Sequence, residues 1–318
     1  MWLLHFPTTQ PFSKFKESPA SAATMASSTQ PPADSRRTLA ATPTPTQRGL
    51  RVQYGRRTDI DMSEASPNNT NRRQLPDGLL PELMPKHIGF ILDGNRRWAK
   101  EKGMMVELGH QFGSKKVKQL ITLCHNWGIK VVSLFTFSTE NWLRPKEEVG
   151  FLMRLFREVI DTELEESRRA GLRISFIGDK SKLPISVQEL VQAAEEATKA
   201  NTDVHILVAM NYSGRSDILQ ACKKIAKKVK DGELEIEDIE NEGIFDGELE
   251  TSCAEFPNPD LLIRTSGELR ISNFMLWQLA YTELFFVDKN FPDFQEADFL
   301  QALRSFQQRH RRFGGHKY

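Results

Sequence analysis

From residue 85 onward, short apolar runs alternate with longer stretches in which apolar side chains recur at a helical spacing. This alternation of strand-like and helical periods predicts an α/β domain. Its central sheet is expected to be mostly parallel, with about six strands flanked by helices. The predicted strands are 87–92, 131–137, 173–177, 204–210, 260–265 and 284–287, and the predicted helices are 110–127, 145–169, 186–200, 215–230, 272–280 and 295–310.

The overall composition limits the classes of protein to be considered. We expect residues 76–318 to form one domain without an internal repeat, because about 240 residues is near the upper limit for a single core. The net charge of +1 argues against a nucleic-acid-binding surface, which carries a basic excess. No apolar run reaches the length of about 18 residues that a membrane-spanning helix needs. The cysteines are too widely spaced for a zinc or disulfide framework, and we expect Cys124 and Cys222 to be reduced core residues.

Residues 1–75 differ in composition from the rest of the chain. They are rich in Ser, Thr, Ala and Pro and lack a periodic apolar pattern, so they cannot bury enough surface to fold alone. Basic residues outnumber acidic ones in the first 50 positions, where only Glu17 and Asp34 are acidic. These features predict a chloroplast transit peptide, with a plain disordered tail as the alternative. The cytoplasm or the surface of the endoplasmic reticulum is the alternative location.

The first polar motif, His-Ile-Gly-Phe-Ile-Leu-Asp-Gly-Asn-Arg-Arg-Trp-Ala, follows the first predicted strand. Gly94 and Asn95 turn the chain from Asp93 into a helix start, where backbone N–H groups favour an anion such as a diphosphate. Arg96 and Arg97 add charged donors, and Asp93 is the hard oxygen ligand that suits Mg²⁺ held jointly with phosphate. A capped helix with a structural Asp93 is the simpler alternative. The chain has no GxxxxGK[ST] loop.

Two further polar motifs follow later strands. The segment Ser-Thr-Glu-Asn-Trp-Leu-Arg-Pro begins at Ser138, and ordinary helix capping would also explain it. In the third motif Arg264, Arg270 and Ser272 can converge on a second anion, with a surface ion-pair loop as the alternative. Because ligands bind beyond the carboxyl ends of parallel strands, these motifs are expected at the ligand-binding edge of the sheet.

A fourth motif, Arg-Arg-Phe-Gly-Gly, begins at Arg311. Together the four motifs resemble the cis-prenyltransferases, the family of undecaprenyl diphosphate synthase and dehydrodolichyl diphosphate synthase. The resemblance extends from about Leu83 to the C-terminus and includes the segment Tyr-Ser-Gly-Arg-Ser-Asp-Ile that begins at Tyr212. It implies an enzyme that elongates an allylic diphosphate with isopentenyl diphosphate, forms a cis double bond and releases diphosphate. It also implies a plastid member of the family.

The resemblance assigns roles residue by residue. It makes Asp93 the central catalytic residue and a magnesium ligand, Asn141 the proton acceptor and Glu283 a second magnesium ligand. The implied allylic diphosphate site consists of Gly94, Asn95, Arg96, Arg97, Trp98, His110, Ser138, Thr139, Glu140, Trp142 and Arg144. The implied isopentenyl diphosphate site consists of Arg264, Arg270, Ile271, Ser272, Arg312 and Gly314. The terminal Arg-x-Gly is expected to reach a neighbouring site across the interface of a homodimer.

One position departs from the bacterial relatives, because Val106 stands where they carry an arginine. One diphosphate contact is therefore in doubt, and the preferred allylic substrate is expected to depend on this change. The growing product of the family occupies an apolar tunnel. We expect the helices 110–127 and 145–169 to form its walls, with Thr136, Phe151, Leu152 and Phe156 as candidate lining residues.

Three alternative functions remain open. A short-chain synthase of the neryl type, or an irregular enzyme that couples allylic units, would use the same site. A non-catalytic partner subunit of a heteromeric prenyltransferase would keep the fold but lose motif residues. Retention of the motif residues favours a self-sufficient enzyme, and no Asp-Asp-x-x-Asp run of the trans-prenyltransferases is present. Membrane contact is expected to be at most peripheral, through the product.

Overall fold

The computed structural model describes residues 75–311; residues 1–74 and 312–318, with the predicted transit peptide, Arg312 and Gly314, lie outside the described part. Six parallel strands form one sheet in the order β3-β4-β2-β1-β5-β6, which confirms the α/β prediction. The strands are β1 His87–Ile91, β2 Val131–Ser138, β3 Leu172–Ile177, β4 Val204–Tyr212, β5 Leu261–Arg264 and β6 Glu283–Phe286. The α-helices are α1 Asn95–Glu101, α2 Val106–Asn126, α3 Lys146–Arg169, α4 Ile185–Thr198, α5 Gly214–Lys230, α6 Glu242–Glu248 and α7 Glu296–Gln307.

The central strand β1 is buried along its whole length. Ile88 and Phe90 belong to one core cluster, together with side chains of α2 and α7. Ile91 belongs to another, with Leu262 and Phe274. Burial on both faces explains why β1 is a nearly continuous apolar run rather than an alternating one.

The strand order reverses direction at β1. The strand β2 pairs with one edge of β1 and β5 pairs with the other, so the chain winds in opposite directions from this point. In open parallel sheets a crevice forms at such a switch point, beyond the carboxyl ends of the strands. The residues that follow or close these three strands are Asp93, Ser138 and Thr265. The fold thus brings the three polar motifs to one crevice.

The predicted helix at 272–280 is wrong. This segment consists of turns, and Ser272, Asn273 and Met275 have positive φ angles of 49°, 63° and 43°. A right-handed helix is incompatible with these angles. The apolar residues that suggested a helical stripe are buried by the tertiary fold instead, since Phe274 and Met275 are completely buried in a core cluster beside the sheet.

Three smaller expectations also need correction. Helix α2 begins at Val106, so His110 lies inside its second turn rather than at its start. Cys124 is buried as predicted, but Cys222 is exposed, because α5 buries the stripe of Gly214, Asp217, Ala221 and Ile225. The acidic segment 233–250 has no clear apolar periodicity in the sequence, which predicts a linker, but it contains α6. Within residues 75–311, no helix has both the length and the apolar character required to cross a membrane.

Candidate active site

Asp93 forms an ion pair with Arg264 across the crevice. The guanidinium Nη2 of Arg264 lies 2.7 Å from Oδ2 of Asp93, and the two side chains are 4% and 37% exposed. The other carboxylate oxygen, Oδ1, accepts a 2.7 Å hydrogen bond from the N–H of Gly94. The carboxylate is thus held in one orientation and still faces the crevice.

The main chain of Asp93 is fixed by Thr265, which directly follows Arg264. The Asp93 N–H donates to Thr265 Oγ1 at 3.1 Å, and the same hydroxyl donates to the Asp93 carbonyl oxygen at 2.7 Å. The N–H of Phe291 also donates to this carbonyl oxygen, at 3.0 Å. These bonds link the ends of β1 and β5, so the position of the acid depends on strand pairing.

Gly94 makes the turn from Asp93 into α1. Its φ is 103°, and a Cβ atom at this position would lie 2.5 Å from Asn290 Oδ1 and 2.9 Å from Ser266 Cβ. An L side chain therefore meets both backbone strain and steric overlap. The glycine is required for the close approach of the Asp93 loop to the loop after β5.

We expect Gly94→Ala to lower the free energy of unfolding by about 3 kcal/mol, because strain and overlap add. Gly232→Ala is the matched control, since Gly232 has a φ of 73° and a Cβ there would have no neighbour within 4 Å. It should cost only the strain, roughly 1 kcal/mol. Urea denaturation of both variants measures the difference. Equal losses in the two variants would contradict the steric argument.

A basic cluster lies on the other side of Asp93 and surrounds Glu148, which is 10% exposed. Arg96 Nη1 is 3.1 Å from Glu148 Oε2, while Arg144 Nη1 and His110 Nε2 are 3.4 Å and 3.6 Å from Oε1. Arg96 belongs to α1, Arg144 to the loop before α3, and His110 to α2. One carboxylate of α3 therefore gathers three of the predicted site residues that are distant in sequence.

The pKa of the His110 imidazole lies below its ordinary value. Burial, followed by the positive charge of Arg144, lowers the pKa of His110, although Glu148 opposes this shift. The lowered pKa favours the neutral form of the ring. The neutral ring can offer one N–H to an anion.

A cavity of about 380 Å³ opens beside this cluster. Cationic side chains outnumber acidic ones in its walls, and the N-terminus of α1 contributes to it. These are the features of an anion-binding site. The lining residues are Leu92, Asp93, Gly94, Asn95, Arg96, Arg97, Lys100, His110 and Arg144.

The loop after β2 is a short turn of 3₁₀ helix, Thr139–Leu143. Ser138 and Asn141 cap this turn reciprocally, and the Ser138 N–H donates to Asn141 Oδ1 at 3.1 Å. Trp142 is not among the residues that line the two cavities; its Nε1–H donates to Asn211 Oδ1 at 2.8 Å and its ring packs edge-on against Phe137. Ser138 and Asn141 therefore cap the turn and also line the larger cavity.

The loop after β5 folds around the buried guanidinium of Arg264. Nη1 of Arg264 donates to the Arg270 carbonyl oxygen and to Ser272 Oγ, both at 2.6 Å. Nε of Arg264 is buried and has no hydrogen-bond partner within the described residues. Ile271 is partly buried against a core cluster. An unpaired buried donor beside Asp93 is a candidate contact for a bound anion.

Arg97 and Arg270 meet at Glu268. Arg97 donates to the Ser266 carbonyl oxygen and to Glu268 Oε1, both at 2.7 Å. Arg270 pairs with the other oxygen of Glu268. Trp98, by contrast, is buried and donates from Nε1 to Asp293 Oδ1 at 2.8 Å. Arg97 thus connects the first motif to the third, whereas Trp98 packs beneath the site.

Glu283 is not close to Asp93 within this chain. It begins β6, in register with Leu261 and, through β5, with Ile88 at the start of β1. Asp93 follows the other end of β1, five residues further along, which corresponds to roughly 16 Å. Glu283 Oε2 accepts from Arg309 Nη1 at 2.7 Å. The two predicted magnesium ligands therefore lie at opposite edges of one sheet.

The larger cavity, of about 1370 Å³, extends from Asp93 along the sheet between α2 and α3. Asn95, Ser138, Asn141, Arg264 and Ser272 line its polar end. Further along, apolar side chains line the cavity, among them the predicted Leu152 and Phe156 together with Phe176, Ala170, Leu172, Ile174 and Ile206. The predicted Thr136 also lines it, and so do charged side chains of α2 and α3 such as Lys118 and Glu166. Phe151 and Val106 do not line it.

Sequence reasoning missed three residues of this region: Glu148, Thr265 and Asn273. Arg144 and Glu148 are four positions apart, but Arg144 lies in the loop before α3, so the helical pattern of α3 does not mark the pair. Thr265 and Asn273 act through contacts with residues far away in the sequence, so no local pattern marks them.

A parallel α/β sheet with an acid between two basic regions, above a long cavity with apolar walls, defines a protein that binds anionic head groups joined to apolar chains. Similarity to known proteins narrows this class to one family. The profile of the family described as putative undecaprenyl diphosphate synthase matches residues 91–314. The chain is 58% identical over 256 residues to a chloroplastic dehydrodolichyl diphosphate synthase of Solanum lycopersicum, covering 80% of this chain and 81% of the relative.

A second relative and a solved structure point to the same family. A chloroplastic nerylneryl diphosphate synthase of Solanum lycopersicum is 54% identical over 237 residues, covering 74% of this chain and 73% of the relative. The crystal structure of lavandulyl diphosphate synthase from Lavandula x intermedia in complex with dimethylallyl diphosphate matches with a TM-score of 0.71 and 43% identity, covering 73% of this chain and 99% of that chain. The chain belongs to the cis-prenyltransferase family, as its motifs predicted, and the substrates of such enzymes are isoprenoid diphosphates.

Proposed function

We propose that this chain condenses isopentenyl diphosphate with an allylic diphosphate to make a cis-polyprenyl diphosphate, releasing diphosphate. The observation that carries the proposal is the position of Asp93. It lies between the buried Arg264 on one side and the cluster of Arg96 and Arg144 on the other, at the polar end of the larger cavity. Two anion sites that share one acid suit a reaction between two diphosphates.

The allylic diphosphate is assigned to the smaller cavity. Gly94, Asn95, Arg96, Arg97, His110 and Arg144 would surround it. The positive charge of Arg96, Arg97 and Arg144 would stabilise the departing diphosphate as the allylic carbon–oxygen bond breaks. Asn141, which lines the larger cavity, is the proposed acceptor of the proton that is lost when the new double bond forms. Trp98 and Trp142 are proposed to support these loops from beneath rather than to contact the head group.

The isopentenyl diphosphate is assigned to the loop after β5. The orphaned Nε of Arg264 and the hydroxyl of Ser272 are the groups that support this site. Arg270 belongs to the same loop, is exposed, and pairs with Glu268. Arg312 and Gly314, outside the described residues, are proposed to complete the site from a second copy.

A magnesium ion is proposed at Asp93. The carboxylate is partly exposed, and a single protein ligand suits Mg²⁺ that is otherwise bound by phosphate oxygens and water. Bound there, the ion would neutralise charge on the leaving diphosphate. Within residues 75–311 no cluster of three or more His, Cys, Asp or Glu side chains is arranged as a metal site. Glu283 does not fit as a partner of Asp93 in the same chain.

A homodimer is proposed because of where the described chain ends. Arg311 pairs with Asp260 Oδ1 at 2.5 Å, and Arg309 pairs with Glu283. Both acids lie at the edge of the sheet opposite to Asp93, since Asp260 directly precedes β5. Arg312 therefore follows a residue that is distant from the Asp93 crevice of its own chain, which favours action on a second copy over action in cis.

A plastid location is proposed for this protein. The curated relatives described above are chloroplastic. The Ser/Thr-rich, acid-poor composition of residues 1–75 supports a transit peptide. Import of the full chain into isolated chloroplasts, followed by a shift to lower mass, tests this assignment.

The purified protein alone should incorporate labelled isopentenyl diphosphate into a lipid-soluble product when it receives an allylic diphosphate and Mg²⁺, and EDTA should stop the reaction. Chromatography of the products from each short allylic primer distinguishes a polyprenyl synthase from a neryl-type or irregular coupling enzyme. Inactivity that is relieved only by a second subunit would identify a partner of a heteromeric enzyme and overturn the proposal of a self-sufficient one.

If the larger cavity holds the growing product, its distant end should limit the length of that product. Ala170 lines its distant end at the C-terminus of α3. Ala170→Trp should therefore fill this end and shorten the main product by at least one isoprene unit, while leaving the head-group site intact. Lys199→Trp, on the exposed C-terminus of α4, is the control. Product chromatography reads the outcome, and an unchanged length distribution in Ala170→Trp would exclude this cavity as the product site.

A further inference from the structure

Asn273 occupies a strained position in the loop after β5. It follows Ser272, and both residues have left-handed backbone angles, with φ values of 49° for Ser272 and 63° for Asn273. Asparagine is one of the few residue types that adopt this region readily. Strained backbone of this kind persists only where the surrounding contacts enforce it.

The side chain and backbone of Asn273 join two other loops. Nδ2 donates to Glu140 Oε1 at 2.9 Å and to Ser213 Oγ at 2.8 Å. Oδ1 accepts from the N–H of Arg215 at 3.0 Å, and the carbonyl oxygen accepts from the N–H of Gly214 at 2.7 Å. One residue thereby connects the loop after β2 with the start of α5.

The preceding residue extends this connection to the catalytic acid. Ser272 Oγ accepts from Arg264 Nη1 at 2.6 Å, and Arg264 Nη2 pairs with Asp93 at 2.7 Å. A continuous series of contacts thus runs from Asp93 through Arg264, Ser272 and Asn273 to Glu140. All five residues line the larger cavity.

Glu140 needs such a restraint because it is a carboxylate in a region proposed to hold two diphosphates. Partial burial opposes ionisation, but hydrogen bonds, first that from Asn273, lower the pKa of Glu140 below its usual value. The lowered pKa favours the ionised carboxylate, so the position of its negative charge relative to the proposed diphosphates matters. The amide of Asn273 engages one of its oxygens.

We propose that Asn273 is a positioning residue that holds the loop Ser138–Arg144 against the loop after β5, so that the two diphosphate sites keep a constant separation. The inference rests on the proposed function for what the sites bind, whereas the loop contact itself does not depend on it. The ligand class is the pair of isoprenoid diphosphates, and the predicted effect is on the KM values of both.

The test is an exchange of donor and acceptor. Asn273→Asp keeps the shape of the side chain and its tolerance of left-handed backbone, and the new carboxylate can still accept from the N–H of Arg215 and from the hydroxyl of Ser213. It specifically replaces the donor to Glu140 by a second acceptor. We expect the KM of both diphosphates to rise about 10-fold, the size of effect associated with one charge-assisted hydrogen bond.

Glu140→Gln supplies the complementary donor. In this background Asn273→Asp should change both KM values by no more than about 2-fold, because coupled residues deviate from additivity. An equal effect of Asn273→Asp in the two backgrounds would overturn the inference. Asn273→Gly, which retains the backbone conformation without the amide, should show the same rise in KM and guards against misfolding of the aspartate variant.

A second measurement is independent of turnover. Hydrogen exchange of the amides in 138–144 should accelerate in Asn273→Asp and not in Asn201→Asp. Asn201 is the control because its Nδ2 also bridges two segments, through the carbonyl oxygens of Arg168 and Leu172, far from the site. Inactivity of the wild-type enzyme would refute the proposed function, and the exchange data would still decide the inference. Unchanged exchange in 138–144 would overturn it.

Discussion

Asp93→Ala and Asp93→Asn are expected to lower kcat/KM for the condensation by at least about 10³-fold, or ~4 kcal/mol of transition-state stabilisation. Among the described residues that line the smaller cavity, Asp93 is the only acid, and it is also the proposed ligand of the magnesium ion. Its loss would remove the proposed metal ligand and the carboxylate that pairs with Arg264. Rate measurements with each substrate at saturating Mg²⁺ provide the result.

The asparagine variant separates chemistry from folding. Its amide oxygen can still accept the hydrogen bond from the buried Arg264, which would otherwise lack a counterpart. We therefore expect a native circular dichroism spectrum and a Tm closer to wild type for Asp93→Asn than for Asp93→Ala. Asp203→Asn, an exposed position before β4, is the control and should retain full activity. Near-normal turnover in Asp93→Asn would remove the central element of the proposed function.

Glu148→Gln is expected to lower kcat/KM for the allylic diphosphate by about 10²-fold, because charge-assisted hydrogen bonds to a carboxylate contribute roughly 1.5–3 kcal/mol. Without the carboxylate, Arg96 and Arg144 repel each other and lose their common anchor. The gain in net positive charge does not offset the loss of orientation, since preorganised donors are what stabilise a developing anion.

The neighbouring carboxylate offers a matched control. Glu147 is exposed and lies one residue earlier in the same helix, so Glu147→Gln removes the same charge without affecting the cluster. It should leave the kinetics unchanged. The pKa of His110 should fall further in Glu148→Gln, which NMR titration of the imidazole can detect, because Glu148 is one of the groups that raise it. Equal kinetics for the two variants would contradict the organising role of Glu148.

The elements that were predicted well are those in which local pattern and tertiary environment agree. The strands β1, β4 and β5 are buried along nearly their whole length, so their apolar runs are visible in the sequence. The segment 272–280 shows the opposite case. Its apolar residues are spaced as in a helix, but their burial results from contacts with the sheet, and the left-handed residues Ser272 and Asn273 exclude the helix.

Some residues of the candidate site were likewise predictable from local pattern, and others were not. Asp93, Ser138 and Arg264 were located from the sequence, because each adjoins the carboxyl end of an apolar strand and such ends bind ligands. The roles of Glu148 and Asn273 were not visible, since each joins segments that are distant along the chain. The separation of Glu283 from Asp93 likewise became clear only from strand register.

By itself the sequence determined the alternation of strands and helices, the strand ends that carry polar motifs, and the resemblance to one family of enzymes. These properties depend on residue type and on periodicity along the chain. The tertiary structure alone decided which motifs face each other, that one buried carboxylate gathers three side chains, and that Glu283 lies at the opposite edge. The reason is physical: the order of strands in a sheet follows from the packing of all elements together, and local periodicity carries no information about it.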